Sequence, residues 1–407
     1  MAPLEGLKVL DFTQFTSGPV CTYMLADFGA DVYKLENPPL GDANHYNTPS
    51  KNKHTVFITS LNHGKKSVLM NMKNAEHVAL FMEMVKTADL VIDNFKAGTL
   101  EKFGITYDTL KEANPAIVWA SISGYGQKGP WAKRTAYDVT IQAASGLISV
   151  SGDEGGSPVK AGVSMSDFCS GLYCCCGVMA ALLDAKRSGK GRRIDLAMVD
   201  SSFSLVEQAI AKYYLTGEVA KPMGRQHMNF APYNSYECKD GQEMLICTRT
   251  DEQFAALCGA LDCAAVAGDE KFATVKARLA NREALNEAVA AAVKNFGYEE
   301  LAAKLEAADV AYGRINNVNE VKVMEQVQAR NMLVTGKYND GTTNKLVGNP
   351  IKLSNFADSD ERHCCFKGED TIDVIAQYVG AERAHEMFDE VMKDSDEKWA
   401  ERAARLD

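Results

Sequence analysis

One carboxylate stands out for its setting. Asp167 heads the stretch from Gly162 to Gly191, GVSMSDFCSGLYCCCGVMAALLDAKRSGKG. Ser166 and Asp167 read as a helix start. Phe168 to Lys186 is apolar almost all round, which predicts a buried helix, and Ser188-Gly189 reads as its stop, since Gly takes the left-handed cap conformation without a Cβ clash. Two roles fit the acid. It can cap the helix, its oxygen accepting a free N–H of the first turn. It can equally attack a carbonyl and form a covalent intermediate, splitting one hard step into two easier ones. The small residues Gly162, Ser164, Ser166, Ser170 and Gly171 would leave room for a substrate, and N–H groups of the helix start could hold developing negative charge. Local spacing leaves both readings open.

The elements that must position this acid follow an alternating pattern. Residues 7–36 read as strand, loop, helix and strand. Lys8 to Phe12 is β-like, Thr13 to Ser17 is a polar loop, Gly18-Pro19 opens a helix through Phe28, and Asp31 to Leu35 is a second strand. No G-x-G-x-x-G occurs there, so no nicotinamide or flavin is expected. Residues 37–64 read as loop. Strands at 67–72, 90–92, 117–122 and 194–198 and helices at 75–88, 100–103, 107–113, 137–150 and 201–215 continue the alternation. This implies a mostly parallel sheet covered on both faces, with ligands beyond the carboxyl ends of its strands. Those ends are Thr13–Gly18, Asn37, Asn94-Phe95 and Ser123–Pro130. After a linker a separate unit follows, with a hairpin around Lys239-Asp240-Gly241 and helices near 251–261, 281–295 and 298–308. A helix at 318–330, strands at 333–338 and 343–347 and a helix at 371–379 complete the pattern, and 396–407 reads as a charged helical tail. The domains expected are 1–216, a linker at 217–225, a small domain at 226–320, a linker at 321–345 and a segment at 346–407 returning to the large domain.

Composition excludes several classes. The chain has 407 residues, 46% hydrophobic and 24% charged, an ordinary globular balance. A net charge of −10 argues against a nucleic-acid partner, which needs a basic face. No apolar run is read as long enough to span a membrane, and MAPLEGLKVLDF lacks the layout of a signal peptide. The 11 cysteines form an odd set without framework spacing, read as thiols of a reducing cytoplasm. Cys174, Cys175 and Cys176 point to different sides of a helix, and Cys364-Cys365 lacks a second pair, so no metal is expected.

In order along the chain, Leu4-Glu5-Gly6-Leu7-Lys8-Val9-Leu10-Asp11, Gly18-Pro19, Leu25 to Val32, Lys65-Lys66-Ser67, Asp93-Asn94-Phe95, Ser123-Gly124-Tyr125-Gly126, Ser166-Asp167 with Gly171, Gly189-Lys190-Gly191, Pro232-Tyr233 and Lys239-Asp240-Gly241 carry a resemblance. The chain resembles the class III CoA-transferases, which include the formyl-CoA, carnitine and bile-acid enzymes. The resemblance implies an α/β fold, with a large Rossmann-like parallel-sheet domain and a smaller α/β domain, in an interlocked homodimer. It also implies a CoA-transferase that moves CoA from an acyl-CoA donor to a carboxylic-acid acceptor, with Asp167 as covalent nucleophile. CoA enters as substrate, and no permanently bound cofactor is expected. By resemblance the CoA site involves Phe15, Thr16, Ser17, Met70, Lys73, Asn94, Phe95, Lys102, Tyr137 and Asp138.

Several positions depart from the family pattern. Asn37 stands where many relatives carry an Arg that meets CoA phosphate. Lys102 replaces an Arg of the formyl-CoA branch, and that branch's Gly-rich loop is absent, which argues against formate and oxalate. Arg225 follows Gly224, where it could face a charged acceptor or solvent. Gly368-Glu369-Asp370-Thr371 replaces the usual Gly-Glu-His-Thr. Two alternatives are an α-methylacyl-CoA racemase and a non-catalytic acyl-CoA-binding homologue. The racemase uses His-Asp where this chain has Tyr137-Asp138, and a tyrosine is a poor base at neutral pH.

Overall fold

The computed structural model describes residues 2–46, 50–51 and 54–403. Six parallel strands make the main sheet: β1 (Lys8–Asp11), β2 (Asp31–Glu36), β3 (Lys66–Leu69), β4 (Leu90–Asp93), β5 (Val118–Ser123) and β6 (Arg193–Ala197), in the spatial order β3-β2-β1-β4-β5-β6. The order reverses between β1 and β4, the switch point beyond whose carboxyl ends ligands of such sheets bind. Both faces of the sheet are dry because successive side chains feed opposite cores. Val9, Val32, Leu90 and Val118 meet Cys21, Leu25, Cys174 and Val178 on one face. Leu10, Tyr33, Val91 and Trp119 meet Phe81 and Met84 on the other, where Val374 and Ile375 from the C-terminal segment join them. That segment also covers the sheet edge: Ser67 N donates to Asp370 Oδ2 (2.8 Å) and Leu69 N to Thr371 Oγ1 (3.0 Å).

The helices that bear on the site are α1 (Ser17–Asp27), α2 (Ala75–Val85), α3 (Asp138–Ala144), α4 (Met165–Ser188) and α5 (Met198–Ser204). Gly189 ends α4 at φ 67°, as its position predicts. The expected full burial of α4 does not hold. Phe168, Leu172, Tyr173, Met179 and Leu183 are exposed along one side, while Cys174, Val178 and Leu182 face the core. By length and composition α4 could cross a membrane, against the expectation that no run is long enough, yet half of its apolar window is buried within the fold. Residues 37–64 hold more structure than a loop, including a short helix, Val56–Leu61, capped by the Thr55 side chain. Residues 47–49 and 52–53 of that stretch lie outside the described set. The expected helix at 137–150 is shorter, with a separate 3-10 turn at Ile148–Val150. The helix at 201–215 is two helices, Met198–Ser204 and Glu207–Thr216.

The chain divides into two compact units. One comprises residues 1–147, 161–208 and 325–407, and the other residues 148–160 and 209–324. The second is built on a three-stranded antiparallel sheet, Ala311–Arg314 beside Glu243–Cys247 beside Tyr233–Glu237. Helices Asp251–Ala260, Arg282–Val293 and Tyr298–Ala307 contribute to its core, which includes Tyr236, Met244, Phe254, Leu285 and Leu301.

Candidate active site

Asp167 does not cap its helix. It is the third residue of α4, and the N-cap is Ser164, which makes no side-chain cap bond. The cap comes from another element. Asp138 Oδ1 accepts from Ser166 N at 2.8 Å and Asp167 N at 3.1 Å. Met165 N bonds to Val163 O (2.8 Å) and Phe168 N to Ser164 O (3.0 Å), so the first-turn donors are all engaged. The expectation that these N–H groups would hold developing negative charge is therefore corrected: Asp138 occupies two of them.

The Asp167 carboxylate has no hydrogen-bond partner among the described residues. It is half-buried. Burial and the neighbouring Asp138 charge push its pKa up to about 7. Both causes act against the anion, one by desolvation and one by like charge. A carboxylate held this way is more basic than one in water and lacks donors that would damp its lone pairs, which suits nucleophilic attack.

The small residues beside Asp167 serve packing more than open space. Ser166 is buried and accepts from Ser202 Oγ on α5 at 2.8 Å. Ser170 Oγ donates to Ser166 O at 2.6 Å. A Cβ at Gly171 would stand 2.6 Å from Ser17 O and from Val20 Cβ, so glycine is what lets α4 touch the start of α1. Gly162 is exposed and free of such contact.

The loop Thr13 to Ser17 follows the carboxyl end of β1, at the switch point of the sheet, and is locked from several sides. Asn94 Oδ1 accepts from Gln14 N (2.8 Å), while Asn94 Nδ2 donates to Gln14 O (2.7 Å) and Ser17 Oγ (3.3 Å). Phe15 takes φ 59°, a left-handed conformation uncommon outside Gly, and its side chain is exposed. Its N–H donates to Asp42 Oδ1 (3.2 Å) and its carbonyl accepts from Asn44 Nδ2 (2.6 Å). Lys34 Nζ, buried in β2, bonds Asp42 Oδ2 (2.9 Å) and Thr13 O (2.7 Å). Asp11 receives Thr13 Oγ1 and Thr22 Oγ1, with the Lys65 ammonium 3.2 Å away. Burial pulls Lys65 down to about 8, opposed by Asp11. The reading of loop residues as contacts missed Lys34, Asp42 and Asn44, which hold the loop. A lysine and a glutamate on an otherwise apolar buried strand, DVYKLE, were the available signal, because such groups stay charged only when paired.

The other expected contacts spread along the same sheet edge. Met70 follows β3, is 1% exposed and packs in the core. Phe95 follows β4, half-buried with its ring 6.4 Å from Phe12, and its N–H donates to Asp93 Oδ1 at 3.1 Å. Thr16 is buried, Lys73 and Lys102 are exposed, and Tyr137 is 67% exposed. Asn37 is exposed with its amide turned to Pro38 O. Thus the structure brings Phe15–Ser17 together with Asn94, seats Ser17 against α4, and joins Asp138 to Asp167. Among the described residues no hydrogen bond or ion pair links Met70, Lys73 or Lys102 to them. Arg225, in the second unit, pairs with Glu243 at 2.8 Å. Among the described residues no group of three His, Cys, Asp or Glu side chains is placed to hold a metal ion.

Residues 4–371 match the profile of CoA-transferase family III. A succinate–glutarate CoA-transferase of Agrobacterium fabrum is 35% identical over 388 residues, covering 94% of this chain and 97% of that protein. An acetyl-CoA:oxalate CoA-transferase of Acetobacter aceti is 34% identical over 361 residues, covering 88% and 91%. Among solved structures, a CAIB/BAIF family protein from Brucella suis superposes with a TM-score of 0.82 at 33% identity, covering 92% of this chain and 99% of that one.

Proposed function

The chain belongs to CoA-transferase family III, and from that premise we propose that Asp167 is its covalent nucleophile. A carboxylate oxygen of Asp167 attacks the thioester carbonyl of an acyl-CoA. The C–S bond breaks, leaving a mixed anhydride and a CoA thiolate. The thiolate attacks the aspartyl carbonyl, releasing the donor acid and leaving an aspartyl–CoA thioester. An acceptor carboxylate repeats the sequence in reverse and departs as its CoA ester, restoring Asp167. The observation that carries this reading is the placement of Asp167: half-buried, without a hydrogen-bond donor among the described residues, on the helix that touches Ser17 of the loop after β1.

CoA would lie along the carboxyl edge of the sheet. Phe15, Thr16, Ser17, Asn94 and Phe95 form the central part, with Met70 at the edge of the core and Tyr137 toward α3. Lys73 and Lys102, which are in no ion pair among the described residues, would meet phosphate as point charges where Asn37 cannot. Asp138 acts through α4 on this reading and does not touch CoA. For the acceptor we favour a small dicarboxylate, because the relatives are named for succinate, glutarate and oxalate. Oxalate re-enters as a candidate despite the missing Gly-rich loop. A homodimer is supported by the apolar side chains exposed along α4, which a second copy would cover. Native mass spectrometry checks that stoichiometry.

Incubation with succinyl-CoA or acetyl-CoA, then hydroxylamine, then peptide mass analysis tests the nucleophile. The expected result is a mass change confined to Asp167, with CoA delivered to an added dicarboxylate. Exchange of an α-hydrogen with solvent and no movement of CoA would overturn the assignment.

A further inference from the structure

We propose that Gln142 is a positioning residue for the transfer reaction, orienting Asp138 so that it holds the start of α4 and thereby the attacking oxygen of Asp167. The inference rests on the reading of Asp167 as nucleophile. Gln142 is fully buried, one turn after Asp138 on α3, at the i, i+4 spacing that puts two side chains on one face. Its orientation follows from its partners. Ala161 N can only donate, and it lies 2.9 Å from Gln142 Oε1. The amide nitrogen must then face the other way, where it donates to Asp138 Oδ2 at 2.6 Å and lies 3.4 Å from Val163 O.

The result is a chain of fixed groups. Gln142 holds one oxygen of Asp138, and the other oxygen takes the N–H groups of Ser166 and Asp167. The same amide ties down residues 161 and 163, the segment that leads into α4. A rotation of the Asp138 carboxylate would release the first turn of α4 and move the Asp167 backbone. Gln142 prevents it without touching any reacting atom. A buried glutamine on an interior face would otherwise cost several hydrogen bonds, and here each is spent on the approach to Asp167.

The test follows formation of the CoA adduct on Asp167 in a single turnover, by mass spectrometry, in wild type, Q142M, Q142E, D138N and D138N/Q142M. Q142M removes both contacts at nearly constant volume. Q142E keeps an acceptor for Ala161 N but replaces the amide donor to Asp138 and Val163 O with a second carboxyl oxygen, so it covers the case in which Q142M does not fold. In Q142M and Q142E the adduct should form about tenfold more slowly, with KM for acyl-CoA within about twofold of wild type. The acid limb of the pH–rate profile should also be displaced, since the Asp138 charge is one of the two causes acting on Asp167. Adding Q142M to D138N should slow the reaction by clearly less than the product of the two single effects, because both act in part through one contact. Adduct rates within twofold of wild type with an unmoved pH profile, or effects that multiply in the double variant, overturn the proposal. Failure of wild type to form any adduct on Asp167 overturns the nucleophile reading itself and this inference with it.

Discussion

Replacing Asp167 with asparagine should stabilise the protein while abolishing turnover, and the stabilisation should depend on pH. The carboxyl is raised from 3.8 to about 7 by burial and by Asp138. For an acid so raised, the folded state holds its proton more tightly than the unfolded chain between those two values. Stability therefore falls as pH rises from about 4 to about 7, and the loss is complete above that. A rise of about three pH units corresponds to about 4 kcal/mol. Asp167 is only half-buried, so solvent screening reduces this to about 2 kcal/mol. Asparagine carries no charge at any pH and escapes the penalty. Urea melts of wild type and D167N at intervals from pH 4.5 to pH 9 measure it. The two curves should nearly coincide at the acid end, separate through pH 7, and run parallel beyond, with D167N the more stable. A variant that is less stable at pH 8, or a gap that does not change with pH, would refute the account of how this carboxylate is held.

Three further perturbations bear on the surroundings. G171A places a Cβ 2.6 Å from Ser17 O, so it should destabilise by roughly 1–3 kcal/mol in denaturant melts and raise KM for acyl-CoA by shifting the loop. D42N takes the nearest anion from the buried Lys34 ammonium and should cost about 3–5 kcal/mol, part of it recovered in K34M/D42N, where the ammonium is removed as well. K73A and K102A should each raise KM for acyl-CoA roughly three- to tenfold with kcat unchanged, and the effect should shrink as salt increases.

What could be read ahead of the structure depended on range. The central strands announce themselves locally, as apolar runs such as LVID and VWASIS that are buried on both faces. Chain alternation then implies a parallel sheet with ligands beyond its carboxyl ends, while the order that sets β1 beside β4 is a matter of long-range pairing. The role of Asp167 as a cap was plausible because a cap is a local device, and it failed because the actual cap lies 29 residues earlier, on another helix. No window of residues around 167 contains that information. The same holds for Lys34, Asp42 and Asn44, which matter through contacts made across the loop and not through their neighbours. The side of α4 left exposed was equally hidden, since an all-round apolar helix gives no period from which to tell an inner face from an outer one.

Asp138 gives the site its particular electrostatics. An acid in the first turn of a helix is ordinarily favoured by the unpaired N–H groups there and by the helix dipole, both of which stabilise its anion. At Asp167 that benefit is diverted, because the N–H groups of residues 166 and 167 bond to Asp138. The helix terminus satisfies one carboxylate so completely that a second carboxylate beside it meets like charge and desolvation instead of donors. If Asp167 is the nucleophile, as proposed, a helix N-terminus that would have quenched it thus supports it, and only while Asp138 keeps its orientation. For that reason the residues that fix Asp138, although remote from the thioester, should govern the rate of the covalent step more than the affinity for CoA.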